Sequence, residues 1–261
     1  MIRSLWTAAS GMSAQKLNMD VIAQNLANVN TSGFKKSRAD FEDLLYQNMK
    51  SPGADTSSGG QIPTGIQIGM GTRPVSVQKI FTQGDFQQTG NKLDMAIEGD
   101  GFFRVISNGE EVYTRAGSFK LDSEGYIVTS QGDRLQPEIT IPQTAVDFTI
   151  DAGGMLSAME EDGNTIAASG QINLYNFINP SGLKSLGGNY YSPTPASGEA
   201  TEGTPGVDGL GTIVQNSLEI SNVDVVEEMV NMIACQRAYE ISSKSIRSAD
   251  DMMQMANNIK R

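Results

Sequence analysis

Apolar residues recur every seven positions at both ends of this 261-residue chain, and that rhythm is missing from its middle. Among the first thirty residues, Leu5, Met12, Met19 and Leu26 lie seven apart. Ala8, Gln15, Ile22 and Val29 form a companion series with one polar break, Gln15. A seam of this kind predicts a helix over 1–30 that packs lengthwise against another helix. Its many alanines keep it thin, and Gly33 suits a left-handed stop. A second seam runs over 222–259, with Val225, Met232, Tyr239, Ile246 and Met253 seven apart and the small series Cys235, Ser242, Ala249 and Ala256 beside it. Ser221 or Asp224 can cap its start. Glu240/Lys244 and Arg247/Asp251 form i,i+4 pairs on the outer face, worth at most about 0.5 kcal/mol each.

Such stripes can pack on a chain's own core, but two seams at opposite ends point to pairing with each other. A helix of about 30 residues is about 45 Å long, more than the width of a small domain. A hairpin that long and narrow buries little alone, so the apolar edges left over predict cover from neighbouring copies.

Between the seams, over 72–220, the pattern turns to short strands. Asn108-Gly109 separates two strand-like runs in 102–115, a strong hairpin signal. A second hairpin is expected over 119–135, turning at Ser123-Glu124-Gly125. Runs 138–141, 146–150, 172–178 and 211–220 read as further strands, which together predict a small barrel or sandwich. The polar Gly-, Ser- and Pro-rich stretches 47–65 and 193–211 read as linkers. The fold class expected is therefore α+β: helices 1–30 and 222–261 pairing as a coiled coil, an extended layer 31–71, and an inserted β-rich domain 72–220.

Composition removes most chemistry. The formal charge is −11, with no clustered positive charge, so neither nucleic acid nor an anionic membrane is an expected partner. No histidine is present, which excludes histidine triads, histidine metal sites and histidine proton shuttles. Cys235, the single cysteine, reads as a small buried residue in a helix. Acidic turns at 98–101, 122–125 and 160–164 lack the ligand spacing of a calcium loop and read as turns. The stretch 69–74 lacks the lysine of a phosphate loop. No transmembrane run is expected, and the opening stretch lacks the apolar core of a secretory signal. That predicts a cytoplasmic chain or one exported by a route needing no such signal. No catalytic residue, metal or cofactor is expected.

The terminal segments "SLWTAASGM", "NMDVIAQNLANVNTSGFKKSRADFEDLLYQ" and "VNMIACQRAYEISSKSI" resemble those of the bacterial flagellar rod and hook family. The middle, "LDMAIEGDGFFRV" through "YTRAGSFKLDSEGYIVT", is similar to that family's shared core. Within the family, the chain length and the stretch Tyr46–Pro63, which includes Pro52 and Gly53, look like the distal-rod branch. The rival readings are a proximal rod paralogue or a short hook protein and, from a different class, a secreted β-domain that binds a glycan or another surface ligand, with helical ends used for display. The resemblance implies a non-enzymatic subunit exported through the flagellar type III apparatus. Copies would assemble helically into a hollow tube that crosses the periplasm and carries torque to the hook. Implied partners are other copies of the chain, proximal rod proteins, the hook or hook-junction region, the P-ring and L-ring proteins and the rod cap. The 46–63 insert would add contacts that stiffen the tube.

The loop "NLANVNTSGFKK" first reads as a ligand site. Asn28 and Asn30 suit a helix end, Gly33 suits a left-handed turn, and Thr31 and Ser32 can bond local backbone. It is therefore expected to be a joint, with Phe34 anchoring on the β-rich domain or on a neighbouring copy.

Overall fold

The computed structural model describes residues 2–50, 64–142, 145–160 and 166–259. The insert positions Pro52, Gly53 and Pro63 lie outside the described residues. The chain divides into two compact units. A helical unit comprises Met1–Leu26, Ser37–Gln78 and Asp224–Arg261, and a β unit comprises Ala27–Lys36 and Lys79–Val223. The fold is thus α+β, with one long helix at each end and a β-rich part between them.

In the helical unit, α1 spans Ile2–Ala27 and α2 spans Val225–Ile259. Of the two residues able to cap α2, Asp224 does so: its Oδ1 accepts from the amides of Val226 (2.8 Å) and Glu227 (3.2 Å). The two helices touch along small residues. A Cβ at Gly11 would lie 3.8 Å from Ser242 Oγ, and Ala14, Cys235 and Ala249 are buried. Small side chains let the backbones approach, leaving larger neighbours such as Met12, Met232 and Ile246 half-buried beside the contact. Strands Ser37–Asp43 and Thr72–Lys79 pair with each other, and Tyr46–Lys50 pairs antiparallel with Ile66–Gly69. The second pair has almost no buried position, so the unit contains strands without a covering layer.

The β unit holds the three hydrophobic clusters found among the described residues. A seven-stranded antiparallel sheet runs in the order 184–187, 190–192, 110–114, 103–107, 134–136, 127–129, 119–121. Its central hairpin turns at Asn108 and Gly109, both at positive φ (52° and 84°), as a type I′ turn requires. A three-stranded sheet (145–150, 155–160, 166–171) and short pairs close around it. Met95, Ile97, Phe103, Phe119, Leu135, Leu156 and Leu174 form the main core, each essentially inaccessible. Beside it Phe102, Tyr113, Tyr175, Phe177 and Tyr191 pack edge to face, with the Tyr113 and Phe177 centroids 4.9 Å apart.

Three expectations change. Residues 138–141 make a single bridge, Thr140 to Tyr126, rather than a strand, because Pro137 and Pro142 frame the run and cannot donate. The run 211–220 breaks at Asn216 (φ 59°) into Thr212–Gln215, paired with 95–98, and Ser217–Glu219, paired with 86–88. The expected linker 193–211 carries strand Thr201–Gly203, paired with 174–176, and a turn pinned by buried Ser197, whose hydroxyl donates to Thr194 O (2.8 Å). Turn residues there make local bonds, so a linker-like composition yields an ordered segment.

Phe103→Ala is expected to destabilise the β unit by about 3–5 kcal/mol through the cavity it opens. A drop in the chemical denaturation midpoint, followed by tyrosine fluorescence, checks this.

Candidate functional site

Two sets of residues stand out, one in each unit. In the helical unit α1 and α2 share a row of polar bonds. The Cys235 thiol donates to Gln15 Oε1 (2.9 Å) and accepts from Asn18 Nδ2 (3.3 Å). Gln15, the polar break in the α1 seam, is thus the partner of the one cysteine. Burial pushes the Cys235 thiol pKa up, which suits a structural role better than a nucleophilic one. Nearer the end of α1, buried Asn25 brackets the start of strand 37–43. Its Oδ1 accepts from Ser37 N (2.8 Å), and its Nδ2 donates to Ser37 O (2.9 Å) and to Glu228 Oε1 on α2 (3.4 Å). Gln15, Asn18, Asn25, Ser37, Phe41, Glu228 and Cys235 line an open groove of about 540 Å³.

The predicted seam residues take different places. Ile22 is buried; Leu5, Met12, Met19, Leu26, Met232, Ile246 and Met253 are half-buried; Val225 and Tyr239 are exposed. A further face of α2, which the heptad reading did not single out, is bare: Val226, Met229, Val230 and Ile233 are each more than half exposed. Trp6, Leu45, Tyr46 and Met49 are likewise exposed.

In the β unit the joint loop is locked in place. Gly33 sits at φ 68°, and a Cβ there would meet Ala116 N at 2.6 Å, so both conformation and space require glycine. Phe34 is buried in the β unit beneath the Lys79 ammonium (4.7 Å to the ring centroid). Asn28 O accepts from Thr31 N (3.1 Å), and Asn30 is exposed.

Lys35, read from sequence as part of a polar loop, is 1% exposed. Its Nζ donates to Glu219 Oε1 (2.6 Å) and Thr82 O (2.7 Å). Glu219 Oε1 also accepts from Gly84 N (2.9 Å), and Oε2 accepts from Arg115 Nε (2.7 Å). Arg115 also donates to the carbonyls of Ile97, Gly99 and Gly101. Gly33 N in turn donates to Glu219 O (2.8 Å). One carboxylate therefore faces two buried cations and holds the joint through side chain and main chain together. Burial by itself would raise the Glu219 carboxyl, but Arg115 and Lys35 outweigh it and hold it below the usual range. Burial lowers the Lys35 ammonium despite Glu219, and Arg115 adds to that. No single sequence signal marks this trio, because its members lie at 35, 115 and 219.

Comparison with known proteins matches three parts of the chain. Residues 5–35 match the family model described as flagella basal body rod protein, 96–158 the flagellar hook protein FlgE/F/G D1 domain, and 214–259 the flagellar basal body rod FlgEFG protein C-terminal. The flagellar basal-body rod protein FlgG of Buchnera aphidicola subsp. Schizaphis graminum is 48% identical over 260 residues, covering 99% of this chain and all of that protein. FlgG of Borreliella burgdorferi is also 48% identical, over the full length of both. The chain belongs to the FlgG family of flagellar basal-body rod proteins. FlgG of Bacillus subtilis is 38% identical over the full length of both chains, whereas that organism's hook-basal body complex protein FlhP is 28% identical. The family is a structural one, and its members are components of the flagellar basal body.

Glu219→Gln is expected to cost about 3–5 kcal/mol at neutral pH, because it strips the counter-charge from two buried cations. Folding depresses the Glu219 carboxyl, so its contribution is whole above the ordinary carboxylate pKa. It is lost as pH falls through the lower, folded value. Denaturation midpoints measured from pH 7 down to pH 2 should fall for the native chain and flatten for the variant.

Proposed function

We propose that this chain is a structural subunit of the distal flagellar rod, polymerising with copies of itself through its helical unit into a torque-carrying tube. The observation that carries this reading is the distribution of apolar surface. The β unit closes over its own cores, while most of the exposed large apolar side chains lie in the helical unit. Val226, Met229, Val230 and Ile233 form one uncovered face of α2, two turns long and separate from the residues that meet α1. A face of that kind on a rod-family helix fits a neighbouring copy.

Charge agrees. The helical unit carries 10 Lys and Arg against 11 Asp and Glu, and the β unit 9 against 19. Near-balance in the helical unit lets copies approach with little mutual repulsion, and the acid is kept on the other unit. In the assembled rod, α1 and α2 pair as a coiled coil, with neighbours supplying the missing cover. The rod subunit crosses the periplasm after export without a cleaved signal. It meets proximal rod proteins below, the hook or hook-junction region above, the P and L rings around it and the rod cap during growth. The Tyr46–Pro63 insert stiffens the tube by contacts between copies.

The variants Val230→Asp and Ile233→Asp are expected to abolish polymerisation. A charge buried unpaired in a helix interface costs on the order of 3–5 kcal/mol, more than a hundredfold in association. Sedimentation measures this, with far-ultraviolet circular dichroism as the check on folding; normal polymers from both variants would sink the reading. Deleting Tyr46–Pro63 is expected to give softer, curved tubes, and straight tubes by electron microscopy would refute the stiffening role.

A further inference from the structure

Ile178 is 92% exposed, more than any other large apolar side chain among the described residues, and it belongs to the β unit. A single apolar residue on a surface is ordinary. This one stands on a base tied down from both sides. Its neighbour Phe177 is buried against Phe102 and Tyr113, which leaves Ile178 facing outward. Beyond it, Asn179 donates from N to Ser197 O (3.2 Å) and from Nδ2 to Ala196 O (3.1 Å), and Ser181 Oγ donates to Lys79 O (3.2 Å). A side chain presented this way loses little freedom on binding. No charged residue occurs from 163 to 183, in a unit that carries 19 Asp and Glu. At the far end of the edge strand 184–187, which follows this loop, the same unit has a hollow of about 380 Å³. Buried Val112 and Tyr190, which with Val105 form a cluster of their own, line it beside exposed Leu186. The Tyr190 hydroxyl donates to Asp133 Oδ2 (2.7 Å), which fixes the ring. Glu110 is the one charged residue in the lining.

Building on the rod-subunit reading, we propose that Ile178 of one copy seats in the hollow formed by Val112, Leu186 and Tyr190 of the next, so that β units as well as helices join neighbouring copies. A second copy is the occupant because one chain carries both parts: an apolar knob and an apolar floor, each nearly free of charge in a unit whose acid excess otherwise keeps copies apart. Knob and hollow are different patches, so the contact is head-to-tail. It leaves one knob and one hollow free at the ends of every oligomer. Such a contact repeats into an open helical filament, where a twofold contact would stop at a dimer. Burying Ile178 favours association by roughly tenfold to a hundredfold.

The test uses the full chain with Cys235→Ser, carrying both Ile178→Cys and Leu186→Cys. Oxidised under assembly conditions and read on a denaturing, non-reducing gel, it should give a ladder of trimers and larger multimers, because each copy brings one knob and one hollow. Either cysteine alone should give no ladder. Nor should Met155→Cys in place of Ile178→Cys, an exposed position on another strand of the β unit. Ile178→Asp should raise the concentration needed for polymerisation roughly tenfold. The denaturation midpoint of that variant should be unchanged, because the side chain is in water in the single chain. Polymers with no ladder, or polymers from Ile178→Asp at the native concentration, overturn the contact and leave the hollow to a different ligand. If the unsubstituted chain forms no polymers, the rod-subunit reading fails separately. The same ladder, sought in concentrated unassembled chain, then decides the contact: if present it stands, and if absent it falls.

Discussion

Glu219 is the point on which the β unit's organisation turns. Two cations, Lys35 and Arg115, sit out of water with this single carboxylate between them. Burying charge is unfavourable unless pairing and hydrogen bonds answer it, and here every oxygen of Glu219 is used. The three residues come from the joint after α1, from the end of strand 110–114 and from the last strand before α2. A mispositioned segment at any of these places would strand a charge in an apolar interior. The fold is specified at that spot by the penalty for getting it wrong more than by the gain for getting it right.

The helical unit follows a different rule. Its two helices meet through small residues and leave Val226, Met229, Val230 and Ile233 in water. A long thin hairpin has too much surface for the volume it encloses, so it cannot cover its own apolar positions. In a monomeric protein this would be a defect. On the rod-subunit function proposed above, it is surface reserved for a neighbour. The division of labour is visible in the charges as well, with the acid excess carried almost wholly by the β unit.

The joint shows where polar residues mislead. Loop 25–36 reads as a ligand site because it is rich in asparagine, hydroxyls and lysine. Its members in fact answer backbone groups and one another: Asn25 brackets Ser37, Gly33 donates to Glu219, and Lys35 is buried. Asn222, just before α2, does the same kind of work: its Oδ1 accepts from Lys36 N and its Nδ2 donates to Ile80 O and Thr82 O. Both asparagines act as substitutes for backbone partners where the chain changes direction, since a carboxamide carries a donor and an acceptor together.

Local pattern by itself determined the two long helices, the Asn108-Gly109 hairpin and the left-handed turn at Gly33, although α1 ends at Ala27, before that glycine. Those features depend on neighbours in the chain, and neighbours are what a sequence displays. The long motifs at both termini were also enough to reveal the family. Tertiary structure alone decided that Phe34 is buried beside Lys79, that Asp224 is the α2 cap, that 193–211 is ordered, and that positions 35, 115 and 219 form one buried cluster. It also decided which face of α2 is left bare. Each of these depends on residues far apart in the chain meeting in space, and burial there reverses what composition suggests. A lysine in a polar loop becomes a core residue once a distant carboxylate closes over it, and a valine in a helical stripe becomes surface when none of the described residues covers it.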